Sequence, residues 1–177
     1  MQLYFQKCTS SDLDKLVEIS KKTFVDAFEK DNDPEDFSTY IDKAFERSHI
    51  EQQLQKEDST FCFVYMADVL AGYFKLNENG AQTDINSEES IELERIYVLK
   101  EFQGRQIGKQ LLYEAIALAF KKKKTFIWLG VWQNNKEAIR FYEQHGFVKF
   151  GTHPYYIGKD KQTDWLMRLD LINFPKS

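Results

Sequence analysis

Residues Gln103 to Lys109, Gln-Gly-Arg-Gln-Ile-Gly-Lys, lie between an apolar run with strand character, Ile91 to Val98, and a run at helical spacing that begins at Ile107. A glycine-bearing turn at such a junction leaves backbone N–H groups free. The positive end of the helix dipole then lets those groups hold phosphate oxygens. The chemistry on offer is a grip on a phosphate-bearing ligand by Gly104, Arg105, Gln106, Ile107, Gly108 and Lys109. The nucleoside-triphosphate pattern G-x-x-x-x-G-K-[ST] is missing, and so is G-x-G-x-x-G. Taken alone, two glycines four apart are equally an ordinary helix start. His49, His145 and His153 show no metal-ligand spacing, and no Ser-His-Asp or Cys-His grouping can be assembled, so no metal is predicted. Cys8 and Cys62 read as buried, reduced thiols.

The elements that must position this turn follow from periodicity. A short strand, Leu3 to Lys7, precedes the capping run Thr9-Ser-Ser-Asp and a first helix carrying Leu13, Leu16, Val17, Phe24 and Phe28. A break at Asn32-Asp-Pro34 starts a second helix, with Phe37, Tyr40, Ile41, Ala44 and Phe45 on one stripe and Pro34 suited to its first turn. A short helix from Ser48 follows. Thr60 to Met66 and Leu70 to Asn77 read as a hairpin joined by Ala-Asp-Val, and the polar stretch from Asn79 to Glu89 reads as a mobile loop. Beyond the turn, Ile107, Leu111, Leu112, Ala115, Ile116 and Ala119 recur at helical spacing. A strand over Phe126 to Trp132, a helix from Asn135, and closing strands near Val148 to Ile157 and Thr163 to Leu171 complete a mixed α/β layer.

A chain of 177 residues, 42% hydrophobic and 15% aromatic, suits one domain with a sizeable core. No apolar run approaches the ~20 residues that span a bilayer, and the start lacks a secretory leader pattern, so the reading is a cytoplasmic protein with no membrane partner. A net charge of −4 and a pI near 5.5 argue against nucleic acid as partner. The one basic cluster, Lys121 to Lys124, falls at a helix end where cations complement the dipole. Asp31, Asp33, Glu35, Asp36, Asp42 and Glu46 lie close together and could concentrate a cationic acceptor, or could simply be solvated faces and helix-start charges.

From Asn135 the chain reads Asn-Lys-Glu-Ala-Ile-Arg-Phe-Tyr-Glu-Gln-His-Gly-Phe, directly after an apolar strand. With the turn at Gln103 to Gly108, this resembles the GNAT superfamily of acetyl-CoA-dependent N-acetyltransferases, whose turn follows [QR]-x-x-G-x-[GA] and whose later helix carries N-x-x-A-x-x-F-Y-x-x-x-G-F. Gln103 and Gly108 match the ends of the first pattern, while Gln106 stands where the inner glycine usually lies; an αR backbone there would still present its N–H. Asn135, Ala138, Phe141, Tyr142, Gly146 and Phe147 meet the second. Glu-Leu-Glu-Arg-Ile-Tyr-Val, Ile-Trp-Leu-Gly-Val-Trp, Gly-Phe-Val and Gln-Thr-Asp extend the likeness to the bacterial PaiA-type spermidine/spermine acetyltransferases.

The resemblance implies a single-domain α/β fold over residues 1–177, an α+β mixed sheet that is splayed at its centre and flanked by helices. It implies acetyl-CoA as co-substrate and a small-molecule amine, most simply a polyamine, as acceptor. The exposed backbone of Ile96, Tyr97 and Val98 would pair with the pantetheine arm, with the Val98 N–H as oxyanion donor. Asn135 would cap its helix and approach the same arm, and Tyr142 would be the general acid, since a phenol can protonate a thiolate while staying neutral. Without the motif, Tyr142 reads more simply as a core aromatic, as most such residues serve packing.

An alkylammonium with a pKa near ~10.4 is nucleophilic in roughly one molecule per thousand at neutral pH, so something must take its proton. Glu92 and Glu94 alternate with Ile96 and Val98, which would turn all four to one face. Two like charges there could make Glu94, or less favourably Glu92, a base or a substrate anchor; exposed edge-strand glutamates are the competing interpretation. Tyr155, Tyr156 and Asp164 could line the acceptor cleft or serve the core. Rival functions are acetylation of a protein N-terminus, a lysine or another small amine, and a CoA-binding regulatory module. The sequence leaves open whether two copies pair as a homodimer through the closing strands.

Overall fold

The computed structural model describes residues 2–172. In chain order the elements are β1 (Leu3–Lys7), α1 (Leu13–Phe28), α2 (Pro34–Ala44), α3 (Arg47–Gln55), β2 (Ser59–Met66), β3 (Val69–Asn77), β4 (Ser90–Val98), α4 (Ile107–Lys121), β5 (Phe126–Trp132), α5 (Lys136–Gln144), β6 (Val148–Ile157) and β7 (Asp160–Asp170). All seven strands form one mixed sheet in the order β1-β2-β3-β4-β5-β7-β6. One face is covered by α4 and α5 over Leu76, Ile91, Leu93, Ile127 and Leu129. The other is covered by α1, α2 and α3 over Phe61, Phe63 and Tyr73. Among the described residues no helix is long and apolar enough to cross a membrane.

Local chemistry sets most of the boundaries. Pro34 occupies the first turn of α2, where its missing N–H costs nothing, and the Asp33 side chain accepts from the Glu35 and Asp36 N–H groups at 3.0 and 3.1 Å. The hairpin between β2 and β3 is tighter than the sequence implies. Ala67 and Asp68 both take positive φ, 48° and 66°, so two residues make the turn and Val69 joins β3. Gly146, at φ 88°, lets the Phe147 N–H donate to the Tyr142 carbonyl at 3.1 Å, which ends α5 and turns the chain into β6. Strand β7 begins at Asp160, three residues earlier than the periodicity indicates. Cys8 and Cys62 are buried free thiols.

Two departures from a regular sheet build the cleft. Strands β4 and β5 run parallel but pair only from Ser90 to Glu92 against Phe126 to Trp128. Beyond that, β4 stays with β3 through Val98 and β5 stays with β7 through Trp132, so a gap opens in the middle of the sheet. The second departure is a β-bulge. Lys75 lies opposite Arg95 and Leu76 opposite Leu93, leaving Glu94 as the extra residue.

The stretch between β3 and β4 is not the mobile loop that its polarity implies. Gln82 is buried, and its Oε1 accepts from Trp128 Nε1 and from Ser90 Oγ, both at 2.7 Å. A polar side chain fastens this loop to the sheet.

Candidate active site

In an antiparallel ladder alternate residues turn their N–H and C=O toward the neighbouring strand. The Leu99 N–H donates to the Ala71 carbonyl at 2.9 Å, so Val98, and by the same alternation Ile96, aim their backbone groups away from β3 into the gap. The Val98 carbonyl accepts from Gln103 Nε2 at 3.2 Å, which ties the turn to the strand end. Tyr97 sends its backbone to β3 and its ring to the opposite face, 6.0 Å from the ring of Tyr73. The gap and the face beneath it form a cleft of about 720 Å³ that includes Ile96, Val98, Gln103, Asn135 and Tyr142. That volume is in the range of small-molecule sites.

The turn itself corrects one expectation. Gln106 is left-handed, φ 61° and ψ 13°, not αR, and it caps α4 without a side-chain hydrogen bond. A positive φ is why glycine is common at this point of the pattern; a residue with a Cβ pays roughly 1–2 kcal/mol for it. Gly104, at φ 75°, avoids that cost. The first α4 bond runs from the Gln110 N–H to the Gln106 carbonyl, so the N–H groups of Ile107, Gly108 and Lys109 have no carbonyl one turn earlier to receive them. The Ile107 side chain is core, leaving only its N–H for a ligand. Arg105 and Lys109 put cations over Phe102 and Tyr113 beside the turn.

Gly108 shows that the turn fits a phosphate-bearing group. A Cβ there would meet only Val98 Cγ2, at 3.9 Å, and its φ is ordinary. Neither packing nor conformation demands glycine, yet glycine in a helix costs about 1 kcal/mol relative to alanine. The absent side chain leaves room directly over the free N–H groups.

Across the cleft, Asn135 caps α5 by accepting from the Ala138 N–H at 3.1 Å. That sets the helix register placing Tyr142 inward, 8% exposed, against Phe141 and Phe147. Burial pushes the Tyr142 phenol well above its ordinary value, so it holds its proton.

The two glutamates fall elsewhere than alternation implies. The bulge at Glu94 flips the strand's parity, so Glu92 and Glu94 face the α1–α3 side while Ile96 and Val98 pack toward α4 and α5. Neither is an exposed edge carboxylate. Glu92 is 3% exposed; it accepts from Thr83 N at 2.9 Å, Thr83 Oγ1 at 2.5 Å and Asn77 Nδ2 at 3.0 Å. Glu94 pairs with Lys75, and with Arg95 at 3.3 Å. Burial works to raise the Glu94 carboxyl, but the Arg95 guanidinium and the Lys75 ammonium outweigh it and hold it at about 2. A carboxylate held there is a feeble proton acceptor.

Several residues on this face escaped the sequence reading. Lys75, itself buried, donates to Gln53 Oε1 at 2.8 Å; its signal was a lysine inside an apolar strand. Tyr40 of α2 meets Tyr155 of β6 hydroxyl to hydroxyl, closing the cleft from above. Asp84 and His153 join Asp164 on the wall beside Trp128 and Gly130. Tyr155, Tyr156 and Asp164 all line the cleft. Of the acidic series near α2, Asp33 caps the helix and Asp42 pairs with Lys21 at 3.3 Å, so these two serve local structure. Lys122 and Lys124 likewise pair with Glu78.

Residues 14–147 match the acetyltransferase (GNAT) family. An N-acetyltransferase of the pepI 3′ region of Lactobacillus delbrueckii subsp. lactis is 36% identical over 164 residues, covering 93% of this chain and 95% of the relative. Among solved structures, the PaiA N-acetyltransferase of Thermoplasma acidophilum in complex with coenzyme A superposes with a TM-score of 0.76 at 21% identity, over 96% of this chain and 99% of that one. The spermidine/spermine N-acetyltransferase SpeG of Vibrio cholerae gives a TM-score of 0.68 at 20% identity, over 96% and 93%. These two share the fold; the family match and the Lactobacillus relative go further, and the chain belongs to the GNAT family of acetyltransferases, which use acetyl-CoA, and is an N-acetyltransferase.

Proposed function

We propose that the chain acetylates a primary amine of a polyamine, such as spermidine or spermine, by direct attack on the thioester with both substrates in the cleft. One observation carries this reading: the cleft lining combines two kinds of chemistry. One set is the strand end at Ile96 and Val98 with Gln103, Asn135 and Tyr142. The other is the carboxylates Asp26, Asp84 and Asp164 with the rings of Tyr40, Trp128 and Tyr155. Carboxylates and aromatic faces suit an alkylammonium chain. The shared fold with SpeG, named a spermidine/spermine acetyltransferase, adds support.

In this reading the N–H groups from Gly104 to Lys109 hold the diphosphate, and Arg105 and Lys109 add positive charge. Ile96 and Val98 pair with the pantetheine arm, Asn135 lies alongside it, and Gln103 fixes the strand end. Val98 sits beside Gly108, at the phosphate end of the gap. Ile96 lies deeper, nearer the end where a thioester belongs, so its N–H is the better oxyanion donor of the two. Tyr142 protonates the departing thiolate. Glu92 and Glu94 become parts of the acceptor wall. No covalent intermediate is involved: both cysteines lie outside the cleft, and burial pushes the Cys62 thiol up to about 12.

An amine panel assayed by CoA release tests the acceptor. Spermidine and spermine should give the highest kcat/KM. Higher values for peptides with a free N-terminus, for lysine peptides or for monoamines would overturn the polyamine reading.

A further inference from the structure

Where β4 and β5 part, β7 is screened from the gap only by β5, and at Gly130 that strand carries no side chain. A Cβ placed on Gly130 would lie 3.5 Å from Asp164 Oδ2, so this carboxylate stands directly over the bare backbone. Asp164 is the cross-strand partner of His153 on β6. His153 Nδ1 lies 3.5 Å from Asp84 Oδ2, on the loop that Gln82 fastens. Three elements thus bring three titratable groups to one wall of the cleft. Among the described residues, Glu92 and Glu94 are fully engaged by hydrogen bonds and cations, whereas no hydrogen bond or ion pair holds the Asp164 carboxylate.

We infer that Asp164 is the proton acceptor for the attacking ammonium. The inference rests on the amine reading given above. One N–H bond of the ammonium breaks, its electron pair stays on nitrogen as the nucleophile, and the proton forms an O–H bond with Asp164. Asp164, half-exposed on the cleft wall, then releases that proton to water, which restores the carboxylate.

The electrostatics agree with this geometry. Burial pushes the Asp164 carboxyl up to about 6, with His153 opposing, so the group is ionised at neutral pH. Glu94 is held low by Arg95 and Lys75, so Asp164 is the stronger base. The groups that face it are His153 from β6, Asp84 from the loop before β4 and the Tyr40 hydroxyl from α2; β5 contributes no charge there.

The test compares wild type with Asp164→Asn, reading kcat for spermidine at saturation across pH. General base catalysis is worth roughly 10²–10⁴-fold, so the variant should lose at least about 100-fold near pH 7, and the deficit should shrink toward pH ~10, where the free amine needs no base. Coenzyme A affinity by calorimetry should be unchanged, and Asp164→Glu should restore part of the rate. Independently of any variant, wild-type kcat should fall on the acid side with a midpoint near about 6. A deficit constant with pH, a variant as fast as wild type near neutrality, or a wild-type profile with no acid limb would each overturn the assignment. Wild type that transfers acetyl to no amine at any pH would overturn the amine reading itself.

Discussion

If Asp164 is kept for chemistry, it should cost stability, and Asp164→Asn should make the protein more stable at neutral pH. The carboxyl moves from its ordinary 3.8 to about 6, chiefly through burial. About two units at roughly 1.4 kcal/mol each would be ~3 kcal/mol. Asp164 is only half-buried, so screening by solvent reduces the usable figure to about 1–2 kcal/mol. The sign follows from proton binding. Between the unfolded and folded values the native state holds more protons than the unfolded chain, so stability declines as pH rises through that window. The penalty is therefore absent below about 4 and complete above about 6. Asparagine carries no charge to desolvate and forfeits no hydrogen bond, because the carboxylate makes none. Urea unfolding of both proteins from about pH 4 to 7.5 measures the difference, provided the m-values agree. The variant should gain about 1–2 kcal/mol at the upper end and nothing at the lower. A variant less stable near neutrality, or a difference that ignores pH, would refute the reasoning.

Two further substitutions separate binding from chemistry. Tyr142→Phe removes a hydroxyl that makes no hydrogen bond among the described residues, so the urea midpoint should barely move, while kcat under saturating substrates should drop roughly 10²–10⁴-fold with coenzyme A affinity intact. Unchanged kcat would take Tyr142 out of the acid role. Gly108→Asp places a carboxylate in the first turn of α4, where it suits the helix dipole, and a Cβ where the nearest atom is 3.9 Å away. Stability should hold or rise while coenzyme A affinity falls at least about tenfold in low salt, the scale of one repelled charge at close range. Undiminished affinity by calorimetry would move the diphosphate away from this turn.

The legible parts of this molecule are those written in neighbouring residues. Pro34 with Asp33, the stripe from Ile107 to Ala119, and Asn135 three residues before Ala138 each fix a helix through contacts within a few positions, and all three stand where periodicity put them. Two features depend on pairing across the sheet and left no local mark. The bulge at Glu94 arises from the register of β4 on β3, and that single extra residue moved both glutamates to the other face. The loop from Asn79 to Glu89 reads as mobile because it is polar, yet Gln82 finds Trp128 46 residues away. Gln106 hid its backbone differently: glycine would have announced a positive φ, and glutamine does not.

The bulge also explains why the base should come from β7 and not from β4. A strand that alternated without interruption would present its glutamates beside Ile96 and Val98, at the reacting end of the gap. With the extra residue, Lys75 and Arg95 reach Glu94 from the same side and neutralise it, and Thr83 and Asn77 consume Glu92. Beyond the bulge, β4 contributes backbone N–H groups to the cleft and apolar side chains to the α4 core. Proton removal then needs a carboxylate on the far side of the gap, close to the reacting end yet free of cations. Asp164, over the bare backbone of Gly130, answers both conditions, and it does so from a strand that β5 and the break in the sheet separate from β4.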